Sequence, residues 1–177
     1  MKPMLALATA CLVTVAPARA DPQREAGDFL RWALPVGTLT AEIARGEDQG
    51  ARQFAAAYVA TLGATEILKR TIRSERPDRS NEMSFPSGHA APAFAAATYV
   101  HRRYGADHAW PLYAAAVYVG HTRVAAERHR WIDVAGSAAV AATMSWWLVD
   151  RRPANRLPVV TAMPERPRVD LQFQVRW

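Results

Sequence analysis

In the stretch Phe85-Pro86-Ser87-Gly88-His89, a short polar loop passes into an alanine-rich run, residues 90–100, that predicts a helix. Ser87 is one of the residue types that cap helix N-termini, and Gly88 permits close approach of a ligand to the backbone. Backbone N–H groups in the first turn have no intrahelical partner, so this helix start is suited to bind an anion. An ordinary capped helix with a surface histidine is the alternative.

Two further segments place charged and titratable residues at fixed spacings on either side of this stretch. Upstream, six residues separate Lys69 from Arg76-Pro77. Downstream, five residues separate Thr122-Arg123 from His129, and three more precede Asp133. If successive helices alternate in direction, the helix ends that carry these segments meet at one pole of a bundle. The sequence therefore predicts that the three segments converge.

His129 and Asp133 are one turn apart if a helix begins near His129, so that their side chains share a face. A carboxylate that accepts from one imidazole nitrogen leaves a lone pair on the other, which describes a nucleophilic histidine. The alternative is an exposed i,i+4 pair worth about 0.3–0.5 kcal/mol. His89 would then act as general acid for a leaving alkoxide and afterwards as base for water.

Three cations, Lys69, Arg76 and Arg123, are predicted at the same pole, where a bound phosphate would offset their mutual repulsion. Guanidinium groups match phosphoryl oxygens in bidentate fashion. Ser87 and the N–H of Gly88 would complete a cradle for the phosphate. A solvated basic face is the alternative reading of these residues.

Together the three segments resemble the signature of the type-2 phosphatidic acid phosphatase and vanadium haloperoxidase superfamily. That signature is Lys, six residues, Arg-Pro; then Pro-Ser-Gly-His; then Ser-Arg, five residues, His, three residues, Asp. Every position matches except Thr122, where the family usually has Ser. The resemblance implies that His89 is the acid, that His129 forms a phosphohistidine and that Asp133 orients it. It also implies hydrolysis without a metal, in a site that vanadate or phosphate could occupy.

Composition bounds the class of protein and its partners. The 177 residues fit one domain, and 22 Lys and Arg against 16 Asp and Glu give a formal net charge of +6. This balance suits anionic substrates or an anionic lipid surface, and the sequence contains no nucleic-acid-binding motif. Residues 1–20, with Lys2, an apolar segment holding Cys11, and Ala18-Arg19-Ala20, predict a signal peptide. We expect export to the periplasm, with inner-membrane association left open.

The hydrophobic pattern predicts an all-α fold, a compact antiparallel bundle of about five helices over residues 21–152. After a loose polar entry, 21–28, the predicted helices are 29–45 (with a kink near Pro35), 51–73, 88–103, 109–126 and 129 or 130 to 149. Apolar residues alternate with polar ones from Val169 to Trp177, which is strand periodicity. The tail, 153–177, is therefore predicted to form a small β-hairpin.

The favoured function is a metal-independent phosphomonoester hydrolase acting on a lipid phosphate, of the phosphatidic acid phosphatase type. The loop 78–85 is too short to cover the site, which suits a bulky lipid presented at a membrane surface and equally suits small soluble phosphates. A secreted non-specific acid phosphatase, a vanadium-dependent haloperoxidase and a non-catalytic phosphate- or lipid-binding module are the alternatives. The sequence leaves the particular lipid and the oligomeric state open.

Overall fold

Five α-helices make up most of residues 21–152, the part of the chain that the computed structural model describes. They are α1 (Pro22–Ala44), α2 (Asp48–Thr71), α3 (Ala90–Tyr104), α4 (Ala106–Ala125) and α5 (Trp131–Leu148). The prediction of an all-α fold with about five helices is confirmed. The predicted signal peptide, 1–20, and the predicted hairpin, 153–177, lie outside the described residues.

Helix α3 lies at the centre of the fold and packs against each of the other four helices. Its first ten residues, 90–99, are all buried, and six of them are alanine. Short side chains let neighbouring helices approach on every side, so this segment has no need of the polar face that a surface helix presents. Around α3 the order is α1, α2, α5 and α4, and α4 lies again beside α1.

The helices alternate in direction, so that α1, α3 and α5 begin at one pole, where α2 and α4 end. This end of the bundle is called the site pole below. Two close contacts hold the helices together near this pole: Gly136 lies against the Phe85 ring, and Gly120 lies against Val134. In both places the glycine is required, because a Cβ atom would overlap its neighbour. The loop that precedes α3 is thereby seated on α5, and α5 lies directly against α4.

The start of α1 differs from the prediction of a loose entry over residues 21–28. The helix begins at Pro22 and runs through Pro35 to Ala44. Asp21 caps it, since its carboxylate accepts the N–H of Gln23 at 3.0 Å, and proline is well suited to the first helical position, where no N–H is needed. The earlier start brings the first turns of α1 against the candidate site.

A buried ionic cluster holds the opposite pole together. Glu42 is 1% exposed and accepts hydrogen bonds from the Tyr104 hydroxyl at 2.7 and 2.9 Å. Arg103 donates to one carboxylate oxygen of Glu47 at 3.0 Å, and Arg152 donates to the other at 2.7 Å. Because a buried charge without a partner is costly, this network fixes the turn between α1 and α2 against the end of α3.

Large apolar side chains are exposed at both ends of the bundle. Phe29, Trp131 and Ile132 are exposed near the site pole, and Trp110 and Trp147 are exposed near the opposite pole. Within residues 21–152, none of the helices is both long enough and apolar enough to cross a membrane.

Candidate active site

A cavity of about 220 Å³ opens at the site pole, and every residue that lines it is an arginine or a histidine. The sequence predicts four of the six as site residues: Arg76, His89, Arg123 and His129. The other two, Arg24 on α1 and Arg128 in the loop between α4 and α5, have no motif to mark them. The remaining predicted residues, Lys69, Ser87, Gly88 and Asp133, lie around this cavity without lining it.

His129 lies in the loop just before α5, and its side chain is only 2% exposed. The predicted start of this helix, His129 or Arg130, is one or two residues early, because Arg130 is the N-cap residue and Trp131 the first helical residue. Nδ1 of His129 nevertheless lies 3.5 Å from Oδ2 of Asp133. This distance is beyond an ordinary hydrogen bond, so the contact is mainly electrostatic. Because Nδ1 faces the carboxylate, Nε2 is the nitrogen available to the cavity.

Asp133 is held by donors from two neighbouring segments. Its Oδ2 accepts the N–H of Arg130 at 2.8 Å and the hydroxyl of Ser84 at 2.5 Å. Its backbone carbonyl accepts the N–H of Ser87 at 3.0 Å. Hydrogen bonds to a charged acceptor are stronger than those between neutral groups, so the carboxylate is fixed behind His129. Ser84 is a positioning residue that sequence reasoning missed, because it precedes the Pro-Ser-Gly-His segment and belongs to no motif.

His129 is neutral at pH 7. Burial, together with the positive charges of Lys69 and Arg76, lowers the pKa of His129 from 6.5 to about 4, while the charge of Asp133 acts in the opposite direction. A neutral imidazole whose Nδ1 proton faces a carboxylate carries a free lone pair on Nε2. The arrangement therefore suits a nucleophile.

His89 lies immediately before α3 and lines the same cavity. Burial and the charges of Arg123 and Arg31 lower the pKa of His89 to about 4, and the charge of Asp28 opposes them. A general acid has to be protonated when the leaving group departs. A bound phosphate would favour that state, since a nearby anion raises the pKa of an imidazole.

Arg123 on α4 and Arg76 in the segment after α2 both line the cavity. The Nε atoms of both are buried without a hydrogen-bond partner in the described part of the chain. Leaving such donors unsatisfied costs about 1–3 kcal/mol each, and more for charged groups. Such Nε atoms also occur at the opposite pole, at Arg103 and Arg152, so what distinguishes the cavity as an anion site is its lining of arginine and histidine side chains.

Lys69 reaches the site pole from the last turn of α2, where its Nζ donates to the carbonyl of Met83 at 3.0 Å. Burial, followed by the charge of Arg76, lowers the pKa of Lys69. A Cβ atom at Gly88 would lie 3.2 Å from Cε of Lys69, closer than ordinary contact. Glycine at this position therefore gives the lysine side chain room to pass.

Ser87 does not line the cavity and lies two residues before His89, which is the N-cap residue of α3. Its carbonyl accepts the N–H of Ala91 at 3.1 Å, and its hydroxyl accepts the N–H of Ala90 at 3.4 Å. The prediction of Ser87 as the N-cap is therefore wrong, because the regular helix begins two residues later than predicted, although Ser87 still accepts hydrogen bonds from the first helical N–H groups. The side chain is fully buried, so a direct contact between its hydroxyl and phosphate stays a prediction.

Comparison with known proteins agrees with the geometry. Residues 50–157, more than half of the chain, match the model of the PAP2 superfamily. The chain belongs to the PAP2 superfamily. It is accordingly an enzyme that hydrolyses phosphoric ester bonds. A relative, the lipid A 4'-phosphatase of Helicobacter pylori strain J99, is 29% identical over 174 residues that cover 88% of this chain and 87% of that protein. No solved structure matches.

Thr122, the one departure from the PAP2 superfamily signature, is accommodated by α1. Its hydroxyl donates to the carbonyl of Val119 at 2.8 Å. Its side chain lies so close to Gly27 that a Cβ atom there would overlap Oγ1. The extra methyl group therefore packs between α4 and α1 and not in the cavity.

Helix α1 lies outside the region that matches the PAP2 superfamily, yet it contributes to the site. Arg24 lines the cavity, and the carboxylate of Asp28 forms a short ion pair with Arg123. Sequence reasoning missed both residues because it treated this segment as a loose entry. The Asp21-Pro22 start of a helix was the signal that could have placed them.

Within residues 21–152, no group of three or more His, Cys, Asp or Glu side chains could hold a metal ion.

Proposed function

We propose that this protein is a lipid phosphate phosphatase that works without a metal and transfers the phosphoryl group to Nε2 of His129. The observation that carries the proposal is the cavity in which a neutral, buried histidine, backed by Asp133, faces only arginines and a second histidine. An anion is the ligand that such a lining favours. A nucleophile and an acid at its wall suit phosphoryl transfer.

In the first step, Nε2 of His129 attacks phosphorus and the bond between phosphorus and the leaving oxygen breaks. His89 gives its proton to the leaving alkoxide. Arg76 and Arg123 hold the equatorial oxygens, where negative charge is spread in the transition state. The Nδ1 proton of the positively charged phosphohistidine faces Asp133, which stabilises the intermediate.

In the second step, water attacks the phosphohistidine. His89, now neutral, accepts a proton from the water as the bond between phosphorus and Nε2 breaks. Inorganic phosphate leaves and His129 regains its lone pair. The cycle returns both histidines to their starting states, so that no co-reactant other than water is consumed.

A lipid substrate presented at a periplasm-facing membrane surface is the class we favour. The Helicobacter pylori relative is named for a lipid phosphate substrate. In addition, exposed apolar side chains lie within two residues of site residues, namely Phe29 beside Asp28, and Trp131 and Ile132 between His129 and Asp133. Aromatic side chains of this kind partition into the membrane–water interface.

Vesicle binding tests this part of the proposal. Trp131→Ala should weaken binding to phosphatidate-containing vesicles and slow lipid turnover, while turnover of soluble nitrophenyl phosphate is unchanged. Trp110→Ala is the matched control, because Trp110 is similarly exposed at the opposite pole. Equal effects of the two substitutions would remove the site pole as the membrane-facing surface.

A non-specific acid phosphatase acting on soluble phosphates is the second candidate, because the cavity is open enough for the His89 side chain to be 35% exposed. A substrate panel separates the two. Phosphatidate, phosphatidylglycerophosphate, an isoprenyl pyrophosphate, lipid A and nitrophenyl phosphate would be compared with chelator present. We expect the highest kcat/KM on a lipid and no loss with chelator. Full phosphate release by His129→Gln would overturn the mechanism.

A further inference from the structure

One carboxylate oxygen lies between the two donors that the proposed chemistry needs most. Oδ1 of Asp28 contacts a terminal nitrogen of Arg123 in a short ion pair and lies 3.5 Å from Nε2 of His89. Arg123 also donates to the carbonyl of Arg24 at 3.4 Å. Asp28 therefore links the proposed general acid to a proposed phosphate-binding cation. It does so from α1, outside the matched family region, residues 50–157.

The charges around His89 are otherwise of one kind. Arg31 faces it from α1, Arg123 from α4, and His129 from the segment before α5, and each disfavours the protonated ring. Asp28 is the one group among these that favours it. Without Asp28, His89 would lie among cations alone, because the carboxylate of Asp28 is the one negative charge among these neighbours. A general acid in such a setting tends to lose its proton.

We propose that Asp28 is a positioning residue, which attracts the protonated ring of His89 by its charge and orients the guanidinium of Arg123 for phosphoryl transfer. This role rests on the proposed function, because it concerns the acid step of that reaction. Asp28 does not exchange protons with substrate; it acts through His89 and Arg123. The carboxylate is half exposed and therefore lies at the edge of the site.

The pH dependence of kcat/KM should show this role. Protonated His89 is the required form of the acid, so its pKa sets the alkaline limb of the profile. Removing the charge of Asp28 lowers that pKa further, and the alkaline limb moves to lower pH. The acid limb belongs to His129, whose pKa is governed by Lys69, Arg76 and Asp133. It should not move.

Three variants make the test specific. Asp28→Asn removes the charge at nearly constant shape, Asp28→Glu restores it, and Glu25→Gln removes the same charge from the same helix one turn earlier, at an exposed side chain. At pH 7 we expect Asp28→Asn to lose about tenfold or more on alkyl phosphates and less on aryl phosphates, which need less acid assistance. Asp28→Glu should recover most of the loss, and Glu25→Gln should match wild type.

The titration of His89, followed by NMR of its ring nitrogens, decides the matter independently of turnover. A lower midpoint in Asp28→Asn than in wild type and Glu25→Gln supports the proposal, even if no tested substrate is hydrolysed and the proposed function fails. An unchanged midpoint, or equal losses on alkyl and aryl phosphates, would overturn it. Should Asp28→Asn not fold, Asp28→Ser takes its place in the same titration, and a His89 midpoint equal to that of Glu25→Gln contradicts the role.

Discussion

Oδ2 of Asp133 lies 3.5 Å from Nδ1 of His129, and both side chains are almost completely buried. The carboxylate makes its short hydrogen bonds elsewhere, to Ser84 and to the backbone of Arg130. Asp133 is therefore anchored by the loop before α3 and by the first turn of α5. From there it faces an imidazole that it attracts mainly by charge. The consequence is that the negative charge should matter more than its hydrogen bonds.

Asp133→Asn separates these contributions. The amide keeps an acceptor for Ser84 or Arg130 but loses the charge that would stabilise a positively charged phosphohistidine. We expect kcat to fall by about 100-fold or more, by analogy with loss of the carboxylate in other histidine-containing catalytic groups. Steady-state kinetics and thermal unfolding would be measured together.

Ser84→Ala is the matched control for Asp133→Asn. It removes the 2.5 Å hydrogen bond and keeps the carboxylate charge. We expect a smaller loss of kcat than for Asp133→Asn. If Ser84→Ala lost as much activity, the hydrogen bond and not the charge would be the essential contribution.

His89→Ala should discriminate between leaving groups. Alkoxides are poor leaving groups without a proton, whereas nitrophenolate departs readily, so the loss of kcat/KM should be about 100-fold or more on an alkyl phosphate and clearly smaller on the aryl ester. The two substrates would be compared at one pH under identical conditions. Equal losses would remove His89 from the acid role and leave it as a phosphate ligand.

The lowered pKa of His129 predicts how stability responds to pH. The unfolded chain binds a proton near pH 6.5 and the folded chain only near pH 4, so the unfolded state binds more protons between these values. The free energy of unfolding should therefore decrease as the pH falls from about 6.5 to about 4, which urea denaturation can measure. His129→Gln should make this decrease less steep, while His89, whose pKa is also lowered to about 4, keeps its own share. A profile that stays equally steep in His129→Gln would contradict the prediction.

Gly27 tests the packing of α1 on α4. An alanine there would overlap Thr122, so Gly27→Ala should lower the free energy of unfolding by about 1–3 kcal/mol, as overpacked cores do. It should also reduce activity, because Asp28 follows directly and would be displaced from Arg123. Gly37→Ala is the control in the same helix, since its Cβ would meet no atom within 4 Å. We expect Gly37→Ala to be neutral or stabilising, and a loss as large as that of Gly27→Ala would contradict this packing.

The convergence of the motif segments was predictable in part, because the connections α1–α2, α3–α4 and α4–α5 are short; the longer connection between α2 and α3, residues 72–89, returns to the same pole. Lys69 near the end of α2, Arg123 near the end of α4 and His89 before α3 must then share a pole. The position of α1 was not predictable from those rules, since the apolar pattern begins only at Phe29. Asp21-Pro22 is a typical helix start, but two residues indicate a helix less strongly than the apolar pattern that follows Phe29.

Other features of the site depend on tertiary contacts that no spacing records. Ser84 meets Asp133 across 49 positions of sequence. Arg24 lines the cavity only because α1 packs beside α4. Ser87 belongs to a motif, but burial turns its hydroxyl to the helix start. Motif spacing thus indicated which segments meet, and packing decides which atoms line the cavity.

The central claim is that His129 becomes covalently phosphorylated. Wild-type protein would be mixed with ³²P-labelled phosphatidate, quenched in alkali, where phosphohistidine survives, and digested for peptide analysis. We predict label on the peptide that contains His129, its loss in His129→Gln, and its accumulation in His89→Ala with an aryl phosphate, since that variant lacks the base for water. Label on another residue, or turnover by His129→Gln equal to that of wild type, would contradict the mechanism.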